Sequence, residues 1–239
     1  MTPIVGLVRV IVAGAFSIFM AALEIIMLPV DFRKGRVFHF LARLWGRGVL
    51  MICGLRVTVR GREKLDFGTT YVYVSNHASL FDIPVVVASI PDQIRIVYKK
   101  ELEAIPVFGW GLKWGSYIAM DRSNRAEAMK SIETAARKIR YGESVLLFAE
   151  GTRTLDGKLQ PFKRGAFNLA VRSGVPVVPL TINGTFAILP KHTISVRPGR
   201  IELVLESPIA VNPSGGKEEE IRLMDRVHGA IADHYVNQV

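Results

Sequence analysis

The segment Asn76-His77-Ala78-Ser79-Leu80-Phe81-Asp82 sets an imidazole and a carboxylate close together where the apolar run Val72-Tyr73-Val74 ends. A neutral imidazole can take a proton from a hydroxyl, and a carboxylate on its other ring nitrogen would fix the tautomer and stabilise the imidazolium that forms. The apolar run reads as a buried strand and Pro84 suits the first turn of a helix, so the pair should sit in a strand-to-helix bend. The same residues allow a plainer reading, with Ser79 and Asp82 forming a capping box for that helix. Metal chemistry has little support here: no other His or Asp falls at ligand spacing near His77, and His39, His192, His228 and His234 are scattered.

A second short segment, Phe148-Ala149-Glu150-Gly151-Thr152-Arg153, follows another apolar run, Val145-Leu146-Leu147. Together the two segments resemble the glycerolipid acyltransferase family. Its histidine/four residues/aspartate motif corresponds to His77 and Asp82, and its Glu-Gly-Thr-Arg block to Glu150, Gly151, Thr152 and Arg153. Its glycine/aromatic/Asp-Arg block is matched loosely by Gly115-Ser116-Tyr117-Ile118-Ala119-Met120-Asp121-Arg122, where Ala119 and Met120 replace the usual aromatic or branched residues. Its proline-bearing apolar block is matched by Val175-Pro176-Val177-Val178-Pro179, and all four blocks occur in the family's order.

The resemblance implies an α/β fold and transfer of a fatty acyl group from acyl-CoA or acyl carrier protein, as co-substrate, to the free hydroxyl of 1-acylglycerol-3-phosphate, giving phosphatidic acid. His77 would be the base and Asp82 its orienter. Arg153 suits the acceptor's phosphate because its planar fork can bind two oxygens at once. Glu150 cannot bind phosphate and is expected to position Arg153 or a backbone turn, Gly151 to permit a tight bend and Thr152 to add a hydroxyl donor; a surface turn closed by a local ion pair is the plainer alternative. Lys163 and Arg164 open the next helix and could add charge near the same phosphate. Arg122, with Asp121, is either a second basic contact or half of a structural ion pair. No Gly-x-Ser-x-Gly elbow is present and Cys53 lies in apolar sequence, so neither a covalent acyl-enzyme nor a cofactor is expected. Lys99 and Lys100 could meet the donor's phosphates or be merely solvated. Residues 105–111 could line the acyl chain's path, rest on a membrane or fill the core.

The lone cysteine rules out an internal disulfide and a cysteine zinc cluster. From Ile4 to Val30 only Arg9 and Glu24 are charged, and as a helix this stretch would be about 40 Å long, enough to cross a bilayer or lie deep in one leaflet. The net charge is +10, and Arg33, Lys34, Arg36, Arg43, Arg47, Arg56, Arg60 and Arg62 cluster behind this stretch with no acid between the first and the last. On a helix from about Arg36 to Ile52, Arg36, Arg43 and Arg47 share a face opposite Phe38, Leu41, Trp45, Val49 and Ile52, a pattern that fits an anionic membrane surface and places the following chain on the cytoplasmic side. Charge beside the most lipophilic segment, without a nucleic-acid motif, argues against nucleic acid as a partner.

Strands are expected at 56–59, 70–74, 94–98, 117–120, 144–148 and 175–182, alternating with helical patterns. Asn124 with Glu127 marks a helix start, and Pro198-Gly199 suggests a hairpin between strands 193–197 and 200–205 at the sheet's edge. A final helix is expected over 217–236. The reading is membrane-anchoring helices over 1–53 and, over 54–239, one α/β domain with a mixed, partly parallel sheet flanked by helices. Its rivals are the same chemistry on another lysolipid, such as a lyso-aminolipid or lysophosphatidylethanolamine, and a non-catalytic lipid-binding protein.

Overall fold

Apolar strand runs and amphipathic helical patterns alternate in the computed structural model, which describes residues 3–31, 35–115, 117–121 and 124–237. Arg33, Lys34, Ser116 and Arg122 lie outside the described residues. The order is α1 (Pro3–Met27), α2 (Arg36–Cys53), β1 (Leu55–Arg60), β2 (Val72–Ser75), α3 (Asp82–Ser89), β3 (Ile94–Lys99), α4 (Phe108–Trp114), β4 (Ile118–Met120), α5 (Arg125–Arg140), β5 (Ser144–Phe148), α6 (Arg164–Ser173), β6 (Val177–Asn183), α7 (Thr185–Ile188), β7 (Gly199–Leu205) and α8 (Gly216–Ala232).

Among the described residues the strands form one seven-stranded sheet in the order β1-β7-β6-β2-β5-β3-β4, parallel throughout except between β6 and β7. Every residue of β2 and β6 is buried, as a sheet covered on both faces requires. Tyr73 packs on one face with Val85 of α3 and Leu50 of α2. Val72 and Val74 pack on the other with Ile139 of α5, Phe167 of α6 and Val227 of α8. Because β2, β5 and β6 run parallel, the segments that follow them emerge along one edge of the sheet, and this brings distant motifs together.

α2 shows the expected split in part: Phe38, Leu41 and Val49 are buried while Arg36 and Arg47 face outward, but Arg43 is half-buried and the outer face also carries the exposed Phe40, Leu44 and Met51. Its inner face lies so close to α3 that a side-chain carbon at Gly46 would sit 2.9 Å from the Pro84 carbonyl oxygen. α1 is 17 % buried over its apolar window, and Ile4, Ile11, Phe19 and Ile26 are exposed.

The hairpin does not form. Both edges of β7 are taken, by β1 and by β6, so no edge is left for residues 193–197, which are not strand. They run instead against the start of α1, where Val196 N–H donates to the Gly6 carbonyl at 3.4 Å, and Arg197 N–H donates to the Ile188 carbonyl at 3.0 Å.

Candidate active site

The loop after β2 is fixed before any chemistry is considered. Asn76 accepts from the Ile182 N–H at 2.8 Å and donates to the Ile182 carbonyl at 3.0 Å, stapling the end of β2 to β6. Asp82 opens α3 and is fully buried. Its Oδ2 accepts from His77 Nδ1 at 2.7 Å, Ala78 N–H at 2.8 Å and Ser79 N–H at 2.9 Å, and its Oδ1 accepts from Thr185 Oγ1 at 2.6 Å. The carboxylate therefore closes the turn and orients the imidazole at once, but the capping box does not form: α3 starts after Phe81 without a side-chain cap, and the Ser79 hydroxyl donates to the Leu189 carbonyl instead. The ring of His77 stacks on Phe148, with centroids 3.9 Å apart and planes 15° from parallel. With Nδ1 held by Asp82, Nε2 is the nitrogen left to meet a hydroxyl.

The loop after β5 grips the same backbone. Glu150, 3 % exposed, accepts from His77 N–H at 2.5 Å and from Gln160 N–H at 3.0 Å, while Thr154 N–H donates to the His77 carbonyl at 2.9 Å. Burial raises the Glu150 carboxyl to about 7, against the lowering effect of its two backbone donors. Of the two roles expected for Glu150, the geometry displays the backbone turn. Gly151 lies in the left-handed region at φ 72°, and a side-chain carbon there would come within 3.0 Å of Lys163 Cδ, whose chain runs across it.

Beside this turn lies a cavity of about 660 Å³ lined by His77, Gly151, Thr152, Arg153 and Lys163, with Lys99 and Lys191 also in its wall. No aspartate or glutamate lines it among the described residues, and the remainder is largely apolar, including Ile96, Ile132, Leu147 and Leu169. Such a wall favours a ligand with an anionic end and an aliphatic body. Lys100, unlike Lys99, turns away to an ion pair with Asp121 at 2.9 Å. Phe108 and Gly111 line a smaller cavity of about 110 Å³ that shares Ile83, Ile96, Tyr98 and Leu102 with the larger one, whereas Trp110 and Trp114 remain exposed. Among the described residues no group of three or more His, Cys, Asp and Glu is arranged to hold a metal ion.

Thr185, like Lys191, is a site residue that sequence reasoning missed. It stands 103 positions beyond Asp82, and nothing in a threonine after Asn183-Gly184 signals a carboxylate partner. The aromatic ring of Phe148 was within a segment already singled out, but its stacking on His77 depends on the pairing of β2 with β5.

A family model described as Acyltransferase matches residues 56–183. A 1-acyl-sn-glycerol-3-phosphate acyltransferase from Cocos nucifera is 32 % identical over 212 residues, 88 % of this chain and 68 % of the relative. A chloroplastic enzyme of the same name from Arabidopsis thaliana is 31 % identical over 210 residues, 85 % of this chain but 58 % of the relative. Among solved structures, the 1-acyl-sn-glycerophosphate acyltransferase PlsC from Thermotoga maritima superposes with a TM-score of 0.81 at 25 % identity, covering 96 % of this chain and 92 % of that one.

Proposed function

We propose that this chain, which belongs to the acyltransferase family, transfers a fatty acyl group from a thioester to the free hydroxyl of 1-acylglycerol-3-phosphate, giving phosphatidic acid. The observation that carries the reading is His77, held by Asp82, at the wall of a cavity whose charged lining is cationic among the described residues. The acceptor hydroxyl gives its proton to His77 Nε2 as its oxygen attacks the thioester carbonyl. The tetrahedral intermediate then expels the thiolate, which takes the proton back from Nε2, and Asp82 stabilises the imidazolium in between. Arg153, Thr152 and Lys163 hold the phosphate, while Gly151 and Glu150 shape the turn that presents them.

A direct transfer fits the available nucleophiles. Ser79 is fully buried and donates to the Leu189 carbonyl at 2.9 Å, and Cys53 is buried in α2 with its thiol pushed up to about 11. The thioester is that of acyl-CoA or acyl carrier protein, and its acyl chain follows the apolar wall. The exposed apolar side chains of α1 and the outward arginines of α2 hold the enzyme on an anionic membrane surface, with the catalytic domain on the cytoplasmic face.

The test is thiol release from palmitoyl-CoA with and without 1-acylglycerol-3-phosphate, for the wild type and for His77→Ala. Release that requires both the acceptor and His77 is expected. Acceptor-independent release, or full activity in His77→Ala, would overturn the reading, and retained liposome binding without any release would favour the lipid-binding alternative.

A further inference from the structure

The segment between β6 and β7 is tied to the catalytic loop at two buried points: Thr185 Oγ1 on Asp82, and Ser79 Oγ on the Leu189 carbonyl. Just beyond Leu189 the chain closes a turn, with Thr193 donating through N–H at 3.2 Å and Oγ1 at 2.8 Å to the Pro190 carbonyl. His192 is held in the left-handed region at φ 68°, a conformation a non-glycine residue adopts only when its surroundings enforce it. The residue this turn presents is Lys191. Its ammonium lies 3.3 Å from Thr152 Oγ1, and the side chain joins Arg153 and Lys163 in the cavity wall.

Elsewhere basic side chains meet acids: Lys100 with Asp121, Lys64 with Glu206, Arg164 with Glu220. Among the described residues, no such pair involves Arg153, Lys163 or Lys191, which with Lys99 and His77 line the same cavity. Such a cluster is self-repelling until an anion joins it. A phosphate monoester carries close to two negative charges near neutral pH and offers three acceptor oxygens, enough for a guanidinium fork, an ammonium and the Thr152 hydroxyl. We infer that Lys191 is a further ligand of the acceptor's phosphate, reaching it beside Thr152 from a turn anchored on the catalytic aspartate and its loop. The inference rests on the proposed reaction with a phosphate-bearing acceptor and adds to it a contribution from outside the two loops that the motifs mark.

The experiment is steady-state thiol release with Lys191→Gln and Lys191→Arg, varying 1-acylglycerol-3-phosphate and palmitoyl-CoA in turn. Loss of one charge-assisted contact should raise the KM for 1-acylglycerol-3-phosphate about tenfold in Lys191→Gln, with kcat and the KM for palmitoyl-CoA within about twofold of wild type. Lys191→Arg should recover most of the difference. An unchanged acceptor KM in Lys191→Gln, or a rise in the palmitoyl-CoA KM in its place, would overturn the inference while leaving the reaction intact. A wild type indifferent to 1-acylglycerol-3-phosphate would overturn the reaction and the inference together.

Discussion

Two buried polar clusters occupy opposite ends of the same strands. Beyond the ends of β2, β5 and β6, Asp82, Glu150 and Thr185 are buried and all accounted for by hydrogen bonds that converge on His77. At the start of β2, β3 and β5, Tyr73 donates to Asp92 at 2.9 Å, and the fully buried Arg95 lies beside Glu143 at 3.7 Å with His39 of α2 close by. Both clusters shift proton affinities: burial raises Glu150 at one end and Asp92 at the other, and lowers His39 to about 4. Perturbed acidity therefore does not separate a candidate active site from a structural knot. Access does, since His77 lines the large cavity whereas Tyr73, Asp92, Arg95 and His39 line neither of the two described.

The contrast breaks most sharply at His77. His77→Gln should lower kcat by about a thousandfold, within the range for a lost general base, while the thermal midpoint stays close to wild type. A variant with more than a tenth of wild-type activity would remove the distinction between the two ends. Asp82→Asn should follow at about a hundredfold, because an amide offers one acceptor oxygen where the carboxylate serves four donors. It should also lower the melting temperature, which His77→Gln should not. Glu150→Gln should cost about tenfold: one of the two backbone N–H groups on Glu150 would face an amide N–H₂ instead of an oxygen, and the His77 backbone would shift. Unaltered kinetics in Glu150→Gln would show that the turn holds without it.

How far these residues could be read in advance follows the range of the interactions. His77 with Asp82 and Glu150 through Arg153 are contiguous segments, and their chemistry depends on residue type and on the strands they follow. The strands were legible for the same reason, being continuous apolar runs. What failed was anything decided by strand order. Residues 193–197 carry a strand-like pattern, but β7 had already been claimed on both sides. Thr185 and Lys191 come to the site only because β6 lies beside β2, a pairing that no local pattern encodes. Of the Asp-Arg pair that closes the block from Gly115, Arg122 lies outside the described residues and Asp121 is drawn to Lys100.

The smallest effect on catalysis, and the most discriminating one for the comparison, is expected at His39. Its neighbours are Arg95 from β3, Arg43 from its own helix and the backbone of Asp92, and burial is the first cause of its low proton affinity. The folded protein therefore binds fewer protons at His39 than the unfolded chain between about 6.5 and about 4, so stability is lost as the pH falls through that window. Glu150 has the opposite sign. Its folded value near 7 exceeds the ordinary 4.5, so the folded state binds more protons and stability is lost as the pH rises from 4.5 towards 7. Over the shared range the two slopes oppose each other, with Asp92 adding to the Glu150 side. His39→Leu should then gain stability relative to wild type on going from about pH 8 to about pH 5, by on the order of 2 kcal/mol, and Glu150→Gln should change in the reverse sense. Thiol release by His39→Leu near pH 8 should stay within about twofold of wild type. Thermal unfolding of both variants in detergent at the two pH values measures this directly. Parallel shifts in the two variants, or a loss of activity in His39→Leu comparable to that of Glu150→Gln, would mean that the closed cluster is coupled to the open one and that access alone does not set them apart.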